Sequence, residues 1–199
     1  MIKLVRSLVV AAALAVSTMI VSVAQAAAPH NALVVFYTLE HNREGGSADV
    51  VGKTERLAKE IASQTGSKLE QLNAKDLYPA TYNETADVAR TELEEETLRP
   101  IAKDIDIDGY QNIYMCTPNW WSSYPRVFAT WFKNHDFKGK TIYISVTNSG
   151  ARFGHIVEDL KENLPGTTIV PVTAINDRDL SKYSDSELSA KVAEELGKL

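Results

Sequence analysis

Cysteine is nearly absent from this sequence, so covalent cross-links cannot hold the chain together. Only Cys116 is present among 199 residues, which excludes an internal disulfide and requires a core that is stable without one. Cys116 ends an apolar run and has no neighbouring histidine to activate it. We therefore interpret it as a buried thiol rather than a catalytic one.

Signatures of dinucleotide binding, P-loop chemistry and serine hydrolysis are also missing. No G-x-G-x-x-G follows the first strand-like segment, which argues against a six-stranded dinucleotide-binding fold. The letters GKT at residues 52–54 resemble the end of a P-loop, but Gly46 lies six residues before Gly52 where that motif needs five. Without a G-x-S-x-G elbow, a hydrolase using Ser145 or Ser149 has little support.

Positive charge is scarce relative to negative charge. The chain has 21 Lys and Arg residues against 26 Asp and Glu residues, a formal net charge of −5. This balance disfavours nucleic acid and anionic membrane surfaces as partners, and it would suit a basic partner.

The N-terminus has the layout of a secretory signal peptide. Lys3 and Arg6 precede an uncharged apolar run from Leu8 to Ala24, and the letters AQA at residues 24–26 match an A-x-A cleavage pattern. We predict a signal peptide at residues 1–26, a periplasmic or secreted product, and no stable membrane span after cleavage. Cleavage would change the formal charge to −7, because it removes two basic residues and no acid. An uncleaved anchor is the alternative, since the run nearly spans a bilayer.

Strand-like and helix-like segments alternate through the rest of the chain. The predicted strands are ALVVFY, KLEQL, NIYMCT, TIYISVT and TTIVPVTAI; the predicted helices include TERLAKEIASQTG, PRVFATWF, FGHIVEDLKENLPG and a last helix beginning SDSE. This alternation predicts an α/β three-layer sandwich, a five-stranded parallel sheet in order 2-1-3-4-5 with helices on both faces. The acidic segment from Tyr78 to Pro100 is expected to hold a loosely packed helix from about Thr85 to Leu98.

Three loops are expected to form one ligand site, because ligands of such sheets bind where strands end and the strand order reverses. The first loop, after Tyr37, leads into a helix N-terminus suited to a phosphate. The second, TPNWWSSYP, offers two indoles that could stack on a planar ligand. The third, TNSGARFGH, has small polar residues whose backbone amides could face a ligand.

The segments VVFYT…GKTERLAKEIA, CTPNWWSSYP and TNSGARFG together resemble the flavodoxin-like family, in particular its branch with a P-x-W-W loop after strand 3. The resemblance covers Leu33 to about Leu196, so residues 32–199 are predicted to form one flavodoxin-like domain. It implies non-covalent FMN binding by all three loops: Thr38, Gly52, Lys53 and Thr54 at the phosphate, Pro118, Asn119, Trp120 and Trp121 at the isoalloxazine, and Thr147, Asn148, Ser149 and Gly150 at the pyrimidine edge.

The resemblance implies an FMN-binding redox protein of the cell envelope. The bound flavin would perform electron transfer or quinone-type reduction with a redox partner protein or a quinone, without a catalytic side chain or a metal. We expect Trp120 on the flavin face and Trp121 against the helix that Pro125 begins. The alternative is a flavodoxin-fold binding or interaction module that has lost FMN, since Lys53 replaces the family's usual Asn.

Overall fold

The computed structural model describes residues 28–47 and 49–199. The predicted signal peptide, residues 1–26, lies outside this range. Across the described ranges, none of the helices has both the length and the apolar character needed to cross a membrane.

A five-stranded parallel sheet forms the middle layer of the fold. Its strands are β1 (Leu33–Phe36), β2 (Lys68–Gln71), β3 (Asn112–Pro118), β4 (Thr141–Asn148) and β5 (Thr168–Asn176), arranged in the order β2-β1-β3-β4-β5. All four neighbouring pairs are parallel. The predicted fold class and strand order are therefore confirmed.

Helices cover both faces of the sheet. They are α1 (Lys53–Thr65), α2 (Tyr82–Glu94), α3 (Arg126–Asn134), α4 (Ile156–Asn163), α5 (Asp177–Leu180) and α6 (Asp185–Leu196). Side chains of β1 alternate between two core clusters: Leu33 and Val35 join the α3 and α4 side, while Val34 and Phe36 join the α1 and α6 side. Burial on both faces explains why β1 is a continuous apolar run in the sequence.

The edge strand β5 accommodates a proline through a bulge. Ile144 pairs with Pro171 and Ser145 pairs with Thr173, so Val172 is an extra residue in the ladder. Proline cannot donate a ladder hydrogen bond and is tolerated at edges and bulges.

The acidic segment after β2 is more tightly packed than its composition predicts. Its helix, α2, begins at Tyr82 and ends at Glu94 rather than running from Thr85 to Leu98. Fully buried Tyr78 donates a hydrogen bond from its hydroxyl to Glu92 Oε2 at 2.7 Å. Arg99 pairs with the same carboxylate, and its guanidinium carbon lies 3.6 Å from the centroid of the Tyr78 ring. Within α2 itself, Thr85, Ala89 and Glu92 are the buried residues. The feature that the sequence did not predict is a neutralised buried carboxylate that anchors the segment.

Two buried tyrosines provide a test of this anchor. Burial raises the pKa of both Tyr37 and Tyr78, so both hydroxyls stay protonated at neutral pH. The Tyr37 hydroxyl, unlike that of Tyr78, has no hydrogen-bond partner among the residues that the structure describes.

We expect Tyr78→Phe to lower the free energy of unfolding by about 2 kcal/mol, because the charged Glu92 acceptor loses a buried donor. Tyr37→Phe, the matched control, should leave stability within about 1 kcal/mol of the parent or raise it, since it deletes an unsatisfied group. Urea denaturation followed by circular dichroism measures both. Equal losses in the two variants would contradict the role given to Glu92.

Candidate functional site

The three predicted loops meet at the carboxyl ends of β1, β3 and β4. The hydroxyls of Thr54 and Thr147 lie 2.7 Å apart and are buried, which ties the start of α1 to the end of β4. The backbone amide of Asn119 donates to the Thr147 carbonyl at 2.8 Å, which ties the second loop to the same residue. Thr147 therefore bonds to the start of α1 and to the second loop, and it lies at the end of β4, next to the third loop. Pro118 and Asn148 are the last residues of their strands rather than loop residues.

The third loop is organised by the side chain of Asn148. Its Oδ1 accepts hydrogen bonds from the backbone amides of Gly150 at 2.9 Å and Arg152 at 3.1 Å, and its Nδ2 donates to the Ile175 carbonyl. The Ser149 hydroxyl donates to the Asp177 carboxylate at 3.1 Å. The Gly150 amide is thus already used in holding the turn, although it was expected to face a ligand.

The second loop is a tight turn with an unusual backbone. The backbone N–H and C=O groups of Trp120 and Ser123 bond to each other at 2.9 Å in both directions. Between them, Trp121 and Ser122 have positive φ angles of 52° and 67°. Residues other than glycine and asparagine rarely adopt this backbone conformation, and such backbone strain concentrates at functional sites. The side chain of Asn119 supports the turn by accepting from the Ser122 amide at 3.0 Å.

The two adjacent indoles have different surroundings. Trp120 is half-buried and makes edge-to-face contacts with Tyr37 and Tyr78, with ring centroids 5.6 and 5.2 Å apart. Trp121 is 50% exposed, and its Nε1 donates to the Ala86 carbonyl of α2 at 2.9 Å. The Arg90 guanidinium lies 5.4 Å from the Trp121 ring centroid. The expectation that Trp121 packs against α3 is wrong, because the left-handed turn directs it onto α2.

A pocket of about 220 Å³ lies beside these indoles. It is lined by residues of the first loop, the second loop and one face of α2: Leu39, Tyr82, Thr85, Ala86, Ala89, Asn119, Trp120 and Trp121. The sequence analysis did not predict that α2 would line this pocket. The available signal was the pair Thr85 and Ala89, one helical turn apart, which indicates a shared face.

The start of α1 was predicted to hold a phosphate, and Thr38, Gly52, Lys53 and Thr54 do not line the pocket beside the indoles. An ideal Cβ on Gly52 would lie 1.9 Å from Thr38 Oγ1 and 2.5 Å from Glu40 Oε2, so a larger residue there would force these two side chains to move. The Thr38 hydroxyl donates to the Glu40 carboxylate. Lys53 lies in the first turn and pairs with Asp177 at 3.9 Å. Thr38 therefore lies beside Gly52, two residues before Thr54, and Glu40 is an additional residue that the sequence analysis did not identify.

Cys116 lies beneath the site and contributes no reactive group to it. The thiol is fully buried, and burial raises its pKa well above the ordinary cysteine range. A thiol that stays protonated is a poor nucleophile, in agreement with the interpretation made from the sequence.

Gly154 sets the distance between the second and third loops, and this can be tested. It has a φ of 57°, and an ideal Cβ would lie 2.5 Å from the Ser122 carbonyl oxygen. Gly66 has a similar φ of 62° but open space around it.

Gly66→Ala should cost about 1–2 kcal/mol of stability for backbone strain alone. Gly154→Ala should cost clearly more, because strain and a backbone clash combine. Equal thermal unfolding midpoints for the two variants would refute the close contact.

Comparison with known proteins agrees with this geometry. A family model described as Flavodoxin matches residues 47–194. No curated protein sequence matches the chain significantly. The crystal structure of a candidate flavoprotein from Bacteroides uniformis superposes with a TM-score of 0.64 and 21% identity, covering 81% of this chain and 97% of that one. A flavoprotein from Lactobacillus acidophilus, solved in complex with FMN, gives a TM-score of 0.59 and 17% identity, covering 75% and 95%. At these identities the two structures show a shared fold, and the family match shows more: the chain belongs to the flavodoxin family.

Proposed function

We propose that this protein binds FMN without a covalent bond and acts as a redox protein. The observation that carries the proposal is the pocket beside Trp120 and Trp121, at the sheet edge where ligands of this fold bind. Membership of the flavodoxin family and the fold shared with a protein solved in complex with FMN support it. Such a pocket, mostly apolar with a few polar groups, suits a flat heterocycle.

The residues present fit the ring portion of FMN. Trp120 is held in place by two tyrosine rings, so its own orientation is fixed before a ligand binds. Trp121 and α2 close the opposite side of the pocket and would keep water from the ring. Asn119, Pro118 and the turn held by Asn148 would face the polar edge. When bound, the flavin supplies the electron chemistry, while the protein supplies position and electrostatics.

The start of α1 fits the phosphate portion less completely. Thr38 and Thr54 offer hydroxyls, and the close approach at Gly52 would let backbone amides reach an anion. Lys53 could add charge only by leaving Asp177. Glu40 lies at the same place and brings a negative charge.

We infer the cellular location, and from it the reaction, from the signal peptide predicted at the N-terminus. With a secretory signal the protein would act in the cell envelope, where free nicotinamide is not expected. Electron transfer with a protein, or reduction of a quinone, therefore suits it better than nicotinamide-driven reduction. The acidic surface would disfavour an anionic reduced flavin and lower its potential.

A flavodoxin-fold interaction module without FMN is the second candidate. The presence of the Glu40 carboxylate at the phosphate end and the pairing of Lys53 with Asp177 favour it. An absorbance spectrum of the exported protein, with and without added FMN, separates the two. A yellow preparation supports the redox protein, and a colourless one that takes up neither micromolar FMN nor riboflavin supports the module.

The stacking role of Trp120 gives a sharper prediction. Addition of the protein should quench FMN fluorescence, and Trp120→Leu should weaken FMN binding about three- to tenfold, because ring stacking is worth about 1 kcal/mol. Trp120→Phe keeps an aromatic face and should lose much less, which makes it the matched control. If Trp120→Leu binds FMN as tightly as the parent, the stacking role is wrong even where FMN binding itself is retained.

A further inference from the structure

We propose that Glu40 makes this site selective for a flavin that ends in a hydroxyl, such as riboflavin, over one that ends in a phosphate. The inference rests on the proposed flavin pocket and goes beyond it by naming the chemical form of the ligand. It arises from the side chains at the start of α1, which differ in charge from what a phosphate requires.

A hydrogen bond to Thr38 and a close approach to Gly52 define the position of Glu40. Its carboxylate accepts the hydrogen bond of the Thr38 hydroxyl. One of its oxygens lies 2.5 Å from where a Cβ on Gly52 would be, directly beside the first residue of α1. Glu40 is thus half-buried at the helix N-terminus, the place where the phosphate would lie in the FMN hypothesis.

A second carboxylate and the surrounding cations strengthen this assignment. Glu55, in the first turn of α1, accepts the Gly52 amide at 3.2 Å. The nearby cations already have acidic partners: Lys59 pairs with Glu55 at 2.7 Å and Lys53 pairs with Asp177. Carboxylates therefore already satisfy the positive end of the α1 dipole. An incoming phosphate would meet negative charge rather than compensating positive charge.

The chemistry of a carboxylate favours a hydroxyl over a phosphate. An ionised carboxylate only accepts hydrogen bonds, so the terminal hydroxyl of a ribityl chain can donate to it. A phosphate at neutral pH is an acceptor with nearly two negative charges, and like charges in close contact repel strongly at low effective dielectric. The site thus accepts the ring and ribityl chain while it disfavours the phosphate.

The experiment compares riboflavin and FMN binding in three forms of the full folded protein. Quenching of flavin fluorescence gives both dissociation constants for the parent, for Glu40→Gln, and for Glu44→Gln. Glu40→Gln keeps the size of the side chain and removes its charge. Glu44 is exposed in the same loop, so Glu44→Gln makes the same change of net charge away from the site.

The parent is expected to bind riboflavin at least as tightly as FMN. Glu40→Gln should tighten FMN binding at least tenfold and change riboflavin binding less than threefold, while Glu44→Gln leaves the ratio unchanged. A parent that prefers FMN tenfold or more, or an unchanged ratio in Glu40→Gln, overturns the selectivity while flavin binding stands. An equal change of the FMN-to-riboflavin ratio in both Gln variants would assign the effect to net charge and would also overturn the selectivity of Glu40. If neither flavin binds to any of the three forms of the protein, both the selectivity and the proposed function are wrong.

Discussion

The pairing of β1 with β3 is the constraint on which the site depends. Phe36 lies opposite Cys116, and the Tyr37 amide continues the ladder to the Cys116 carbonyl at 3.2 Å. Because the strands are parallel, both end at the same edge, and the residues that follow them must face each other. Helices lie on opposite faces of the sheet on either side of this point, so a crevice opens there. The adjoining strand β4 then places Thr147 within reach of both loops.

Polar side chains, rather than apolar ones, position the elements around that crevice. Glu92 holds Arg99 and Tyr78 together beneath α2, and Tyr78 in turn supports the ring of Trp120. The acidic segment is therefore connected to the candidate ligand site through Tyr78, through the contact of Trp121 with Ala86, and through the α2 residues that line the pocket. A buried carboxylate is stable only when its charge and hydrogen bonds are satisfied, which gives this segment a defined position over the sheet edge.

Charge distinguishes the two ends of the site. The end beside the indoles is mostly apolar and takes its shape from edge-to-face contacts between aromatic rings. The end beside α1 is crowded with carboxylates from Glu40, Glu55 and Asp177, each with a partner. A ligand that spans both ends must therefore match an aromatic surface at one end and a hydrogen-bond acceptor at the other. In the selectivity that we propose, electrostatics at the second end, more than ring contacts, decides which flavin form is preferred.

The sequence by itself determined the fold class, the strand order and the three loops of the site, because these follow from local periodicity and from the geometry of parallel sheets. ALVVFY, predicted as a strand, contains β1 and is buried on both faces, and the last predicted helix begins at SDSE with a capping box between Ser184 and Glu187. Tertiary structure alone decided the packing of α2, the direction of Trp121 and the place of Glu40. The Tyr78–Glu92–Arg99 cluster joins side chains that are apart in sequence, Trp121 is directed by a backbone turn of positive φ, and Glu40 is placed by a side-chain hydrogen bond to Thr38. None of these features follows from a hydrophobic period in the chain.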